Sequence, residues 1–189
     1  ESYGLIEYEM VSGDFGTSYD DVPYFRLADA MMMKAECLLR LGQNEDVAAE
    51  LVSKVRARNF KANPEKAVVT AAYLMGGSKY NYGHREDRGK DVNSHDWVIT
   101  EEGGADIEFG GLLDEYAKEF VCEAHRRDEL IRFNIKGTNM NVYNGKSWFC
   151  KDKVDNRDGD LFPIPKTALK GNLKLKQNPG YDGLTSGEK

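Results

Sequence analysis

From Pro23 onward, the apolar positions Leu27, Met31, Ala35 and Leu38 recur every three or four residues, and Ala28, Met32 and Leu39 widen the stripe. That spacing predicts an amphipathic helix with a face about 100° wide. The run Met31-Met32-Met33 fits as core filling, since methionine takes up irregular gaps. Gly42 offers the positive φ that ends a helix, and Asn44 stands where an N-cap would open the next, ahead of Glu45 and Asp46. Val47, Ala48, Leu51, Val52 and Val55 give that second helix one face, and Arg56 and Arg58 suit its negative dipole end. Two helices joined by a tight turn form an antiparallel pair of the tetratricopeptide type. One such pair cannot bury its own outer face. Residues 1–20 show no periodicity and read as loop or a short edge strand.

Asn63-Pro64-Glu65 predicts a short helix through Leu74, broken by Gly76-Gly77. Residues 76–111 are glycine-rich and aperiodic, and carry Tyr80, Tyr82, His84, His95 and Trp97. A loop of that length tends to be either functional or disordered. A third helix is predicted from Gly111 to Phe133, with Leu113, Tyr116, Phe120, Ala124 and Arg127 on one face and Leu130 and Ile131 continuing it. Glu123 with Arg127, and Asp128 with Arg132, stand four apart and would pair across a turn. Residues 137–160 read as loop or hairpin. Leu161-Phe162-Pro163-Ile164-Pro165 cannot continue a helix, and Asn178-Pro179-Gly180-Tyr181 suits a type II turn with glycine at the positive-φ position. The pattern as a whole predicts a mostly α fold: a tetratricopeptide-like helix pair, further helices, long irregular loops and an extended proline-containing C-terminal strap laid over the helices.

Composition narrows the partners. The 189 residues are 40% hydrophobic and 31% charged, with a net charge of −6. This size suits one domain with a proper core. The acidic balance disfavours nucleic acid and equally anionic lipid. No apolar run is long enough to span a bilayer. Cys37, Cys122 and Cys150 are too few and too scattered for a disulfide framework or a zinc site. Cys37 and Cys122 lie within predicted helices and read as small buried hydrophobes.

The candidate chemistry is sparse. Glu119, Glu123, Arg126, Arg127, Asp128 and Arg132 could suggest an acid–base site, but a carboxylate beside an arginine favours its charged form, the wrong direction for a general acid near neutrality. Glu123, Arg126, Arg127, Asp128 and Arg132 therefore read as a structural ion network bracing the helix against the strap. His84, Glu86, Asp87, Asp91, His95 and Asp96 crowd one stretch without the spacing of a known metal motif, so no metal is expected there. Asp155-Asn156-Arg157-Asp158-Gly159-Asp160 fails as an EF-hand, because Val154 and Pro165 fall where carboxylates are needed; a looser calcium site is the alternative. Gly76-Gly77 and Gly103-Gly104 lack the context of a phosphate loop, and no nucleophile motif stands out. No catalysis and no cofactor are expected. What remains is the set of aromatics outside the helical stripes: Tyr80, Tyr82, Trp97, Trp148 and Phe149. Sugar rings stack their C–H faces on aromatic planes and engage amides and carboxylates through their hydroxyls, and Asn81, Asn93 and Asp96 are near in sequence. Tyr80, Asn81, Tyr82, Asp96, Trp97 and Trp148 are thus the ligand candidates, with Trp97 first. The plainer alternative is that these aromatics pin the loop to the body.

Three blocks in fixed order give the chain a family likeness. They are Tyr24-Phe25-Arg26-Leu27-Ala28-Asp29 with Lys34-Ala35-Glu36 and Arg40-Leu41-Gly42; Glu119-Phe120, Glu123-Ala124-His125-Arg126-Arg127-Asp128 and Leu130-Ile131-Arg132-Phe133; and the Phe-Pro-Ile-Pro and Gln-Asn-Pro-Gly-Tyr ending. Together they resemble the C-terminal part of the SusD/RagB family of outer-membrane nutrient-binding lipoproteins. The departures are Ala124 for the usual glycine, Asp29 for glutamate and Phe133 for a frequent tryptophan. The resemblance implies one SusD-like C-terminal domain over 1–189, belonging to a longer protein whose N-terminal helical repeats and lipid anchor lie outside this chain. It also implies a cell-surface receptor for an oligosaccharide or similar nutrient, delivering it to a SusC-like TonB-dependent transporter, with membrane contact only through that anchor. Within the family the second block is scaffold. The rival reading is a helical-repeat adaptor that binds only protein. A glycoside hydrolase would need two facing acids about 5–10 Å apart in a cleft.

Overall fold

The computed structural model describes residues 25–82, 84–87, 97–100, 103–121, 123–143, 161–172 and 174–181. Helix prevails among them, with six α-helices and one two-stranded hairpin. The chain gathers into two compact units, Glu1–Ala71 with Lys118–His125, and Ala72–Ala117 with Arg126–Lys189.

The first unit is built on α1 (Leu27–Arg40) and α2 (Glu45–Ala57), which pack together through Ala28, Met32, Ala35 and Leu39 on one side and Ala48, Ala49, Val52 and Val55 on the other. The buried stripe of α1 is rotated from the predicted one. Leu27 is 75% exposed, and Met31 and Leu38 are only half-buried. The cause lies at the start of the helix. Arg26 is the N-cap residue, and its backbone N–H donates to Asp29 Oδ2 at 2.9 Å, while its side chain reaches inward to two glutamates described below. The adjacent Leu27 must then face out. Cys37 lies on the exposed side of α1, which corrects its reading as a buried hydrophobe; Cys122 and Cys150 lie outside the described residues. Pro23 also lies outside them, and α1 begins at Leu27.

Gly42 has φ +61°, as the helix stop requires. Asn44 occupies the N-cap of α2 but in the left-handed region, φ +49°, and its side chain makes no capping hydrogen bond; asparagine tolerates that backbone better than most residues. Arg56 holds the next segment in place, donating through Nε to Ala67 O at 2.9 Å and through Nη2 to Lys66 O at 2.7 Å. The short helix expected over 63–74 is two pieces, a 3₁₀ turn at Pro64–Ala67 and α3 at Ala71–Met75, because Val68 adopts extended backbone between them.

The second unit holds β1 (His84–Asp87), β2 (Trp97–Thr100), α4 (Gly110–Glu119, whose last residues enter the first unit), α5 (Arg126–Arg132) and α6 (Lys166–Gly171). Its core comprises Leu74, Tyr82, Ile107, Leu112, Leu113, Tyr116, Leu130, Phe133, Ile135, Val142 and Leu169. Tyr116 and Phe133 meet edge-to-face with ring centroids 6.0 Å apart. The stretch expected to be irregular contains an antiparallel hairpin, His84 pairing with Thr100 and Asp87 with Trp97. Trp97-Val98-Ile99-Thr100 is an aromatic and β-branched run, a strand signal that the surrounding glycines mask.

The single helix predicted from 111 to 133 is broken in two. α4 stops at Glu119 and α5 starts at Arg126, with Ala124 between them at φ +63°. The four-residue spacing therefore no longer sets Glu123 over Arg127, and the pairing predicted on that basis is corrected below. After α5 the chain turns back, Ile135 N–H donating to Met140 O at 2.8 Å and Lys136 N–H to Asp106 O at 2.7 Å.

The C-terminal strap is a closed loop. Residues 162–165 lie outside helix and strand and lead into α6, after which the chain returns to its own start. The Gln177 side chain brackets Ile164, accepting from its N–H at 2.7 Å and donating to its carbonyl at 3.0 Å. Asn178 Nδ2 donates to Phe162 O at 2.7 Å, and Tyr181 Oη donates to Leu161 O at 3.0 Å. Gly180 has φ +81°, as the predicted turn requires. Leu169 is buried, and the Arg127 guanidinium lies 4.2 Å from the centre of the Phe162 ring.

Candidate functional site

The base of the hairpin insertion is clamped. Ser78 N–H donates to Gly104 O at 2.8 Å and Tyr82 N–H to Gly103 O at 3.1 Å, while Gly103 N–H donates to Asn81 Oδ1 at 2.6 Å. Glycine is required because backbones lie directly on one another here. A Cβ on Gly110 would sit 2.0 Å from Ser78 N, and one on Gly77 would sit 2.3 Å from Ala105 O.

Beneath this clamp is Asp114, fully buried on α4. Its Oδ1 accepts from Ser78 Oγ at 2.5 Å and its Oδ2 from Lys79 N–H at 3.0 Å, and Ser78 Oγ in turn accepts from Tyr80 N–H at 3.1 Å. Glu115 Oε1 accepts from Tyr73 Oη at 2.9 Å. Neither carboxylate is singled out by the sequence patterns above. Their signal was present, since adjacent acids inside Leu-Leu-Asp-Glu-Tyr must bury at least one charge once both leucines point inward.

Tyr80 and Tyr82, two residues apart, have opposite fates. Tyr80 is 54% exposed and Tyr82 4%. Arg126 Nη2 donates to Tyr82 Oη at 2.6 Å, and Arg126 also reaches Leu113 O at 3.4 Å and Glu129 Oε2 at 3.2 Å. Burial raises the Tyr82 phenol above its ordinary range, and the Arg126 charge partly opposes this. Tyr82 thus has the geometry of a pin. Trp97 opens β2, backbone-paired with Asp87. Asn93, Asp96, Trp148 and Phe149 lie outside the described residues, as do Asp91, His95 and the candidate calcium segment 155–160.

The expected ion network is distributed differently. Its hub in the first unit is Arg26. Nη1 meets Glu119 Oε1 at 2.6 Å, Nη2 meets Glu123 Oε1 at 2.7 Å, and Nε meets Glu123 Oε2 at 2.8 Å, making a fork on one carboxylate. The guanidinium lies 4.7 Å from the Phe120 ring centre, and Arg58 joins Glu119 as well. The hydrogen bond to Glu123, then the contacts with Glu119 against some loss of hydration, hold Arg26 charged far above its usual range. Glu123 therefore belongs to Arg26. In the second unit, Arg127 lies 5.1 Å from the Tyr143 ring centre and 3.9 Å from Asp128, an exposed carboxylate. Arg132 lies 5.2 Å from the Tyr116 ring centre, so its predicted pairing with Asp128 gives way to an aromatic face. No local spacing could reveal Arg26 as the partner, because Glu123 is 97 residues away.

The sequence is similar to that of known proteins. The family model described as the SusD family matches residues 4–181. The starch-binding protein SusD of Bacteroides thetaiotaomicron is 27% identical over 161 residues, covering 85% of this chain and 22% of that protein. This chain thus spans about a fifth of the length of the curated relative it matches. With nearly its whole length inside the family model, the chain belongs to the SusD family.

Proposed function

We propose that this chain is part of a cell-surface protein that captures an oligosaccharide or similar nutrient and passes it, chemically unchanged, to a SusC-like TonB-dependent outer-membrane transporter. Attachment to the outer membrane through a lipid anchor belongs to the same proposal. Membership of the SusD family, together with similarity to a protein named for starch binding, is the observation that carries it. The hairpin insertion is the proposed recognition surface. The ring of Tyr80 is exposed, while its backbone is held by Ser78 and Asp114. A pre-ordered aromatic loses little entropy when a sugar stacks on it. Trp97, Asp96 and Trp148 complete the proposed ligand set with Tyr80; Asn81 and Tyr82 hold the loop in shape.

Binding without chemistry accords with the state of the acids. Glu119 and Glu123 both lie on Arg26, and Asp114 and Glu115 accept hydrogen bonds within the fold. A second reading, the protein-binding adaptor, is favoured by the exposed apolar residues Leu27 and Cys37 on α1 and Leu41 at its C-cap. Tryptophan fluorescence titrated with a panel of oligosaccharides, starch fragments first, separates the two. The chain has two tryptophans, and the nutrient reading predicts a saturable shift with at least one sugar. Emission indifferent to every sugar favours the adaptor.

A further inference from the structure

The closed loop 161–181 differs in charge from the rest of the molecule. It carries Lys166, Lys170, Lys174 and Lys176 and no aspartate or glutamate, in a chain of net charge −6. All four lysines are exposed. The same loop exposes Leu161 (57%), Phe162 (68%) and Leu175 (42%). Single exposed apolar residues are ordinary on a protein surface. Three of them among four lysines, with no acid between Leu161 and Tyr181 though Asp160 and Asp182 flank the segment, make a patch of definite chemistry.

The patch is also pre-formed. The Gln177 bracket on Ile164, the Asn178 and Tyr181 hydrogen bonds and the buried Leu169 fix the loop before any partner arrives. The Arg127 guanidinium, 4.2 Å from the centre of the Phe162 ring, holds that ring in place; it is itself largely buried and lies 3.9 Å from Asp128, so the charge of the patch comes from the lysines. Lys166 and Lys170 are one helical turn apart on α6 and share a face.

We propose that this loop is a contact for an anionic lipid surface, its lysines meeting headgroup phosphates while Leu161, Phe162 and Leu175 enter the headgroup boundary. Three arguments favour lipid over other anions. Lysines are mobile point charges suited to a diffuse anionic plane, whereas a specific phosphate pocket is usually built from arginine forks. Stable protein interfaces are depleted in lysine at their centres. Leucines offer no flat face to a sugar ring, which disfavours an acidic polysaccharide. The contact is superficial: among the described residues no helix is long and apolar enough to cross a membrane. Surface insertion of this kind joins buried apolar area to electrostatic attraction.

The test is co-sedimentation of the full chain with phosphatidylcholine vesicles and with vesicles containing about one third phosphatidylglycerol, at low and high salt. The expected result is partition to the anionic vesicles alone, weakened by salt. Each lysine near such a surface is worth roughly fivefold, so Lys166→Gln, Lys170→Gln, Lys174→Gln and Lys176→Gln combined should lower the partition by nearly three orders of magnitude, about 600-fold. Leu161→Ala with Phe162→Ala should lower it by roughly tenfold and remove the part that survives salt. All these side chains are exposed, so each variant should keep the wild-type circular dichroism spectrum. No binding to anionic vesicles, equal binding to both kinds, unchanged binding of the lysine variant, or preference for a soluble acidic polysaccharide over vesicles would each overturn the proposal. Sugar binding is read separately, so the nutrient reading and this one can fail independently.

Discussion

Ala124 is held at φ +63°, where its Cβ crowds the backbone. A left-handed alanine costs about 1–2 kcal/mol, whereas glycine adopts the same backbone freely at some extra loss of chain entropy on folding. Ala124→Gly should therefore stabilise the fold by about 0.5–1 kcal/mol, read as a higher urea midpoint with unchanged slope. An unchanged or lower midpoint would remove the strain from the account. Tyr82 gives a second prediction at this scale. Its phenol is raised in the folded state by burial, so above the ordinary tyrosine pKa of about 10 the unfolded chain sheds a proton that the native chain keeps. The unfolded state then binds fewer protons, and this contribution to stability falls as pH rises. Tyr82→Phe should lose the Arg126 hydrogen bond, about 1–2 kcal/mol at neutral pH, and show a shallower decline between roughly pH 9 and 11. Parallel urea-midpoint profiles for the two proteins would contradict this.

At the scale of elements, the loop connecting α4 and α5 is tied to the start of α1 through Arg26. Removing one partner from a buried, forked ion pair leaves the other charge stranded. Arg26 is about a quarter exposed, so Arg26→Ala should cost on the order of 3 kcal/mol, at the low end for such deletions. Arg26→Lys should recover only part of it, since an ammonium cannot fork. Full rescue by lysine in urea unfolding would argue for simple charge neutralisation. Gly110→Ala should also destabilise by about 3 kcal/mol or more, because its Cβ would overlap Ser78 backbone, and backbone yields less readily than a side chain. The sequence was most legible at this scale. Periodicity located α1 and α2, Gly42 ended the first, and the Asn178-Pro179-Gly180 turn formed as predicted. It was least legible where the cause was tertiary. The helix phase of α1 depends on Arg26 reaching Glu123 across 97 residues, and the break at Ala124 hides behind a residue that favours helix. Gly77 reads in sequence as part of a helix break, and Gly110 carries no signal at all, yet both serve close backbone packing. Of the candidate ligand residues, sequence alone could not separate exposed Tyr80 from buried Tyr82, because the Arg126 side chain that holds Tyr82 is 44 residues away.

For the whole molecule, net charge proved a poor guide to local character. A value of −6 conceals a lysine-bearing loop with no acid in it, so an average that disfavours anionic partners says little about one end of the chain. The helices and clamped loops supply rigidity, and the proposed recognition surface is left to the hairpin insertion. The central claim is that this insertion presents aromatic rings to an oligosaccharide. Isothermal titration calorimetry on the full chain, using the best sugar from the fluorescence panel, tests it most directly. By analogy with stacking on bases, Trp97→Ala and Tyr80→Ala should each weaken binding by about 1–3 kcal/mol while helicity stays at the wild-type level. Wild-type affinity in both variants would contradict the account.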